Sequence, residues 1–166
     1  SEQWDDRSIV PIEKHDNRFY MELFHGPTLA FKDIALHMLP QLMTRAVQIE
    51  KIDKDIIILT APSGDTGTAS MRGFANQKGT DVIVFYPEGG VSPVQLKQML
   101  SQRGDNLRAI AIKGNFDDAQ TEVKKIFNDD SFKNRLNANG YQFSSANSMN
   151  IGRLVPQISY YLYTYG

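Results

Sequence analysis

Ile56-Ile57-Ile58-Leu59 is an uninterrupted apolar run, and Thr60-Ala61-Pro62-Ser63-Gly64-Asp65-Thr66-Gly67-Thr68 follows it directly. A short apolar run without polar alternation reads as a strand buried on both faces. The glycines and hydroxyls after it read as a loop that opens a helix, running to about residue 77. The same unit recurs downstream. Val82-Ile83-Val84-Phe85 is a second buried run. Ser92-Pro93 then places an N-cap before a proline at the first helical position, and that helix ends near Arg103-Gly104. Residues 107–112 read as a strand, 117–127 as a helix, 140–143 as a short strand and 150–165 as the last helix. Upstream, residues 19–24 read as a strand. Residues 33–49 read as a helix whose Ala35, Leu39, Leu42, Ala46 and Ile49 share one face. Strands that alternate with helices predict one α/β domain over 1–166: three layers, with a mostly parallel sheet covered by helices on both faces. Such sheets bind ligands beyond the carboxyl ends of their strands. The loops after residues 24, 59, 85, 112 and 143 are therefore the candidate site.

Composition narrows the function. The 166 residues, 41% of them hydrophobic, suffice for one domain with a buried core. Eighteen basic residues against nineteen acidic ones give a net charge of −1, without the basic footprint of a nucleic-acid partner. The absence of cysteine excludes a disulfide framework, cysteine-ligated zinc and a cysteine nucleophile. No apolar run approaches the ~18 residues that span a bilayer, so no membrane association is expected. His15, His25 and His37 lack metal-ligand spacing, and no metal site is expected. The chain starts at Ser1 instead of Met and closes on Tyr160-Tyr161-Leu162-Tyr163-Thr164-Tyr165-Gly166. Left bare, that aromatic cluster is an apolar patch larger than soluble monomers usually carry. It is expected to pack on further protein, the alternative being the domain's own core.

Three loops carry chemistry. In His25-Gly26-Pro27-Thr28-Leu29-Ala30-Phe31-Lys32-Asp33, Lys32 meets a helix N-terminus among apolar neighbours. That setting disfavours the ammonium and favours the neutral amine that a Schiff base needs. A solvated lysine beside a helix-starting Asp33 fits the same letters. In the loop of Ser63, Gly64, Asp65, Thr66 and Gly67, two glycines allow close backbone approach. The helix N-terminus there offers free N–H groups to a carboxylate or phosphate. An ordinary N-cap by Ser63 or Asp65 is the alternative, and a P-loop is excluded because its Gly-Lys-Ser/Thr ending is absent. In residues 144–153, Asn147 and Asn150 bring amide donors and Arg153 a bidentate grip for phosphate. A polar turn with Ser148 capping the helix fits as well.

Taken together, His25 to Asp33, Ser63 to Gly67 and Ser145 to Leu154, in this order and spacing, resemble threonine synthases. So does the intervening Tyr86-Pro87-Glu88-Gly89-Gly90-Val91-Ser92-Pro93-Val94-Gln95. These are pyridoxal-phosphate enzymes of the tryptophan-synthase-β fold, and the likeness runs from about Phe19 to Tyr161. The resemblance implies that Lys32 holds pyridoxal 5'-phosphate, with Phe31 and Asp65 at the cofactor. It implies that Ser63, Gly64, Asp65, Thr66 and Gly67 bind the substrate's α-carboxylate side. Asn147, Ser148, Asn150 and Arg153 would face the site and help bind its phosphate. The implied reaction turns O-phospho-L-homoserine and water into L-threonine and phosphate, in the cytoplasm, with Lys32 moving protons once the substrate amine has displaced it. Threonine synthases are much longer, and their glycine-rich cofactor-phosphate loop has no counterpart here. The chain is therefore expected to be the smaller domain, to need the remainder of its own chain, and to lack turnover alone. Two rivals stand beside this reading: a phospholyase or dehydratase of the same fold, and a non-catalytic module that holds a small anion at Ser63 to Gly67.

Overall fold

In the computed structural model, which describes residues 3–61, 64–148 and 150–166, the apolar runs form the centre of the molecule. β3 (Asp55–Thr60), β4 (Thr80–Pro87), β5 (Leu107–Ile112) and β6 (Tyr141–Ser144) make a four-stranded sheet in the order β5-β4-β3-β6. Every pairing is parallel, with Ile58 between Val82 on one side and Ser144 on the other. The period of two along each strand divides the core. Ile56, Ile58, Val82 and Val84 face Leu36 and Leu39 of α1 (Asp33–Glu50), Phe74 of α2 (Asp65–Phe74) and Met99 of α3 (Pro93–Leu100). Leu59, Ile83, Phe85 and Phe143 face Ala119 and Val123 of α4 (Phe116–Asn128). Helices thus cover both faces, as the alternation predicts. α5 (Asp130–Ala138) lies beside β6, and α6 (Ile151–Tyr165) packs on α1.

Four details differ from the sequence reading. Residues 19–24 are not a strand of the parallel sheet. β2 (Arg18–Met21) pairs antiparallel with β1 (Ile12–His15) in a separate hairpin, with Phe19 and Tyr20 largely exposed. The face of α1 is rotated: Ala35, Leu36, Leu39 and Pro40 are buried, whereas Leu42 and Ile49 are exposed. Packing against both α2 and α6 selects the 36–39–43–47 stripe over the equally periodic 35–39–42–46 one. α2 stops at Phe74, three residues early. α5 went unread because none of its residues is buried, so it carries no apolar stripe.

Candidate active site

Two helix N-termini meet beyond the carboxyl end of β3, the strand whose neighbour β6 is not its successor in the chain. This is the crevice where open α/β sheets hold ligands. The loop before α1 is tied down first. Asp33 is 1% exposed, and its carboxylate accepts the Thr28 backbone N–H at 2.8 Å and the Thr28 hydroxyl. Gly26 is needed there, because a Cβ would lie 2.4 Å from Asp33 Oδ2. The Tyr160 hydroxyl of α6 donates to the Phe31 carbonyl at 2.6 Å. Burial, helped by the charge of Asp33, pushes that hydroxyl up to about 12, so it stays a donor.

This scaffold aims Lys32. Its side chain is 13% exposed, and its amine lies 5.3 Å from the centre of the Phe31 ring. Nζ donates to Asp65 Oδ1 at 2.6 Å, across 33 residues of sequence. Asp65 is the first residue of α2 and Gly64 its N-cap, at φ +78°, a conformation that favours glycine. A Cβ at Gly64 would also collide with the Gln95 side-chain amide, 2.5 Å away. Thr66 and Gly67 complete the first turn, both buried. Ser63 lies outside the described residues.

The loop after β6 approaches from the other side. Arg153 is 8% exposed; its Nη1 donates to the Ala146 carbonyl at 3.1 Å, and its Nε has no partner among the described residues. Burial lowers its pKa, and the charge of Asp65 opposes that shift. Asn150, not Ser148, caps α6. Its side chain accepts the Gly152 N–H at 2.9 Å and donates to the Ser145 carbonyl at 2.7 Å, which closes the loop. The Ser145 hydroxyl donates to Asn147 Oδ1 at 3.0 Å, and Ser148 is exposed. The structure therefore brings Phe31, Lys32, Gly64, Asp65, Thr66 and Gly67 together at two helix N-termini, with Arg153 close enough to feel the charge of Asp65 and Asn147 and Ser148 on the loop that Arg153 bonds. Sequence reasoning missed Thr28, Tyr160 and Gln95. Gln95 lay within a quoted motif; Tyr160 was hidden in an aromatic cluster.

Chemically, the arrangement offers a mostly buried primary amine next to a carboxylate. An amine so placed can hold an aldehyde-bearing cofactor covalently and afterwards act as a base. Around it stand helix N-termini and an arginine suited to a doubly anionic ligand. Among the described residues, no group of His, Asp or Glu is placed to hold a metal ion, and no helix is long and apolar enough to cross a membrane.

No protein-family model matches the chain. Threonine synthase of Pseudomonas aeruginosa is 40% identical over 157 residues, which is 94% of this chain and 32% of that protein. Human threonine synthase-like 1 is 40% identical over 95% of this chain and 22% of its own length. The crystal structure of PLP-bound threonine synthase from Brucella melitensis superposes with a TM-score of 0.83 at 38% identity, covering 99% of this chain and 34% of that one. Yeast threonine synthase gives the same TM-score at 32% identity, covering 99% and 33%. The chain thus spans about a fifth to a third of these relatives. Across nearly its whole length it is similar to part of threonine synthases, and it shares the fold of the corresponding part of their solved structures.

Proposed function

We propose that this chain supplies the cofactor lysine and the substrate-facing loops of a pyridoxal-phosphate enzyme that converts O-phospho-L-homoserine and water to L-threonine and phosphate. One observation carries the reading: Lys32 Nζ, held by a buried scaffold, meets Asp65 at the N-terminus of α2. The site fits the cofactor, since the amine is shielded and faces a carboxylate, and the Nε of buried Arg153 has no partner among the described residues. Pyridoxal phosphate, when bound, supplies the electron sink. Lys32 anchors it and, once freed, takes and returns protons at Cα and Cβ of the substrate. Gly64 to Gly67, with Ser63, offer N–H and hydroxyl groups to the α-carboxylate. Arg153, Asn147 and Ser148 hold the phosphate as it leaves, and Asn150 shapes their loop.

On this reading the chain is one part of the enzyme, the smaller domain. The exposed apolar side of α6, with Ile151, Val155, Ile158 and Leu162, meets the remainder. The cytoplasmic setting is carried over from the same resemblance. The test supplies the full-length protein with pyridoxal phosphate and O-phospho-L-homoserine and measures phosphate and product together. Phosphate with equal threonine is expected, and Lys32→Ala abolishes both. Phosphate with 2-oxobutyrate makes the enzyme a phospholyase. No phosphate from a folded, cofactor-loaded protein refutes the substrate.

A further inference from the structure

The carboxyl end of β6 has a second side, facing α4. A cavity of about 250 Å3 opens there, lined by Ala61 at the end of β3, Asn147 and Ser148, and Gln120, Val123 and Lys124 of α4. Lys124 also lines a larger cavity, of about 500 Å3, behind the same loop with Ser145 and Asn150. It therefore borders both cavities beside this loop. Its neighbour Lys125 pairs with Glu122 at 2.7 Å, whereas Lys124 has no ion partner among the described residues.

The charges explain why a cation belongs there. Lys32 is already paired with Asp65 at 2.6 Å, which leaves Arg153 as the buried cation for an anion at the loop. A phosphate monoester carries about 1.5 to 2 negative charges near neutral pH. We propose that Lys124, with the Gln120 amide one turn before it, completes the pocket for the phosphate group on the loop of Asn147 and Ser148. The inference rests on the substrate reading above and adds the α4 side of the pocket to it. A single turn of helix separates Gln120 from Lys124, so both side chains reach the same cavity. The lysine head stays hydrated until an anion arrives, which suits a group that must also release phosphate.

The test compares Lys124→Gln, Lys124→Arg and Lys125→Gln in the full-length, cofactor-loaded protein. One readout is KM for O-phospho-L-homoserine against kcat. The other needs no turnover: binding of inorganic phosphate, followed by phosphorus NMR. Lys124→Gln is expected to raise KM and to weaken inorganic phosphate by about tenfold, the value of one charge-assisted hydrogen bond. Lys124→Arg recovers most of both, Lys125→Gln matches wild type, and binding of L-threonine, which has no phosphate, is unchanged throughout. A raised KM with unaltered binding of free phosphate assigns Lys124 to the ester alone. Equal behaviour of Lys124→Gln and wild type in both readouts overturns the proposal, as does an equal loss of L-threonine binding. If wild type releases no phosphate from the ester, the substrate reading falls, and the inorganic phosphate titration still decides the pocket.

Discussion

Gly73 lies inside α2, where an alanine ordinarily favours the helix by about 1 kcal/mol. The structure predicts the opposite sign. A Cβ at Gly73 would stand 2.0 Å from the carbonyl oxygen of Leu36, in the first turn of α1, whereas real Cβ contacts stay beyond 3.0 Å. The obstacle is backbone, so no side-chain rotation relieves it, and the two helices must part by about 1 Å. Leu36, Ala69 and Phe74 are fully buried at this crossing and lose contact together. Overpacking of such a core costs about 1–3 kcal/mol, which outweighs the propensity gain. Gly73→Ala should therefore lose about 2 kcal/mol, or about 4–8 °C in Tm for a domain of this size. Function should suffer as well, because α1 carries Lys32 and α2 carries Asp65, and their 2.6 Å contact depends on the same crossing. Denaturant midpoints and turnover of the full-length variant give the two readings. A variant as stable as wild type, with unchanged activity, refutes the close α1–α2 approach and the positioning argument built on it.

Two further outcomes follow from the scaffold around Lys32. Tyr160→Phe keeps the buried ring but leaves the Phe31 carbonyl without its donor, and should cost about 1 kcal/mol, or about 2–4 °C in Tm. That tyrosine is raised from 10.0 to about 12, so the difference should stay flat below about pH 10 and shrink from there towards 12, by thermal melts across that range. His25 stands between Glu22 and Asp5, each at 2.7 Å, and the Glu22 hydrogen bond does most to raise its pKa above 6.5. A raised value means that its contribution is full below 6.5 and lost as pH climbs through the folded-state pKa. Denaturation midpoints of wild type and His25→Gln should therefore converge as the pH rises above 6.5 and through the folded-state pKa; a constant gap contradicts the clasp.

The sheet was legible because burial on both faces leaves a mark in the letters: Ile56 to Leu59 and Val82 to Phe85 have nowhere polar to turn. The loops were legible for a similar reason, since glycine, serine and proline mark strand-to-helix joints. The pairing of Lys32 with Asp65 was not written in any spacing, because it depends on how α1 packs on α2. The rotation of α1 had the same origin: two stripes are equally periodic, and only the partners choose. The 12–21 hairpin escaped because Phe19 and Tyr20 look like core residues and yet lie at the surface. Among the tyrosines near the end of the chain, only the long-range contact with Phe31 separates the buried Tyr160 from the exposed Tyr161 and Tyr165.

The most direct test of the account is chemical. The full-length protein is loaded with pyridoxal phosphate, reduced with borohydride, digested, and the modified lysine located by mass spectrometry. The account predicts a pyridoxyl group on Lys32 and on no other lysine, with the label lost in Lys32→Ala. A label on another lysine, or a loaded protein that takes none, contradicts the claim that this crevice is built around Lys32.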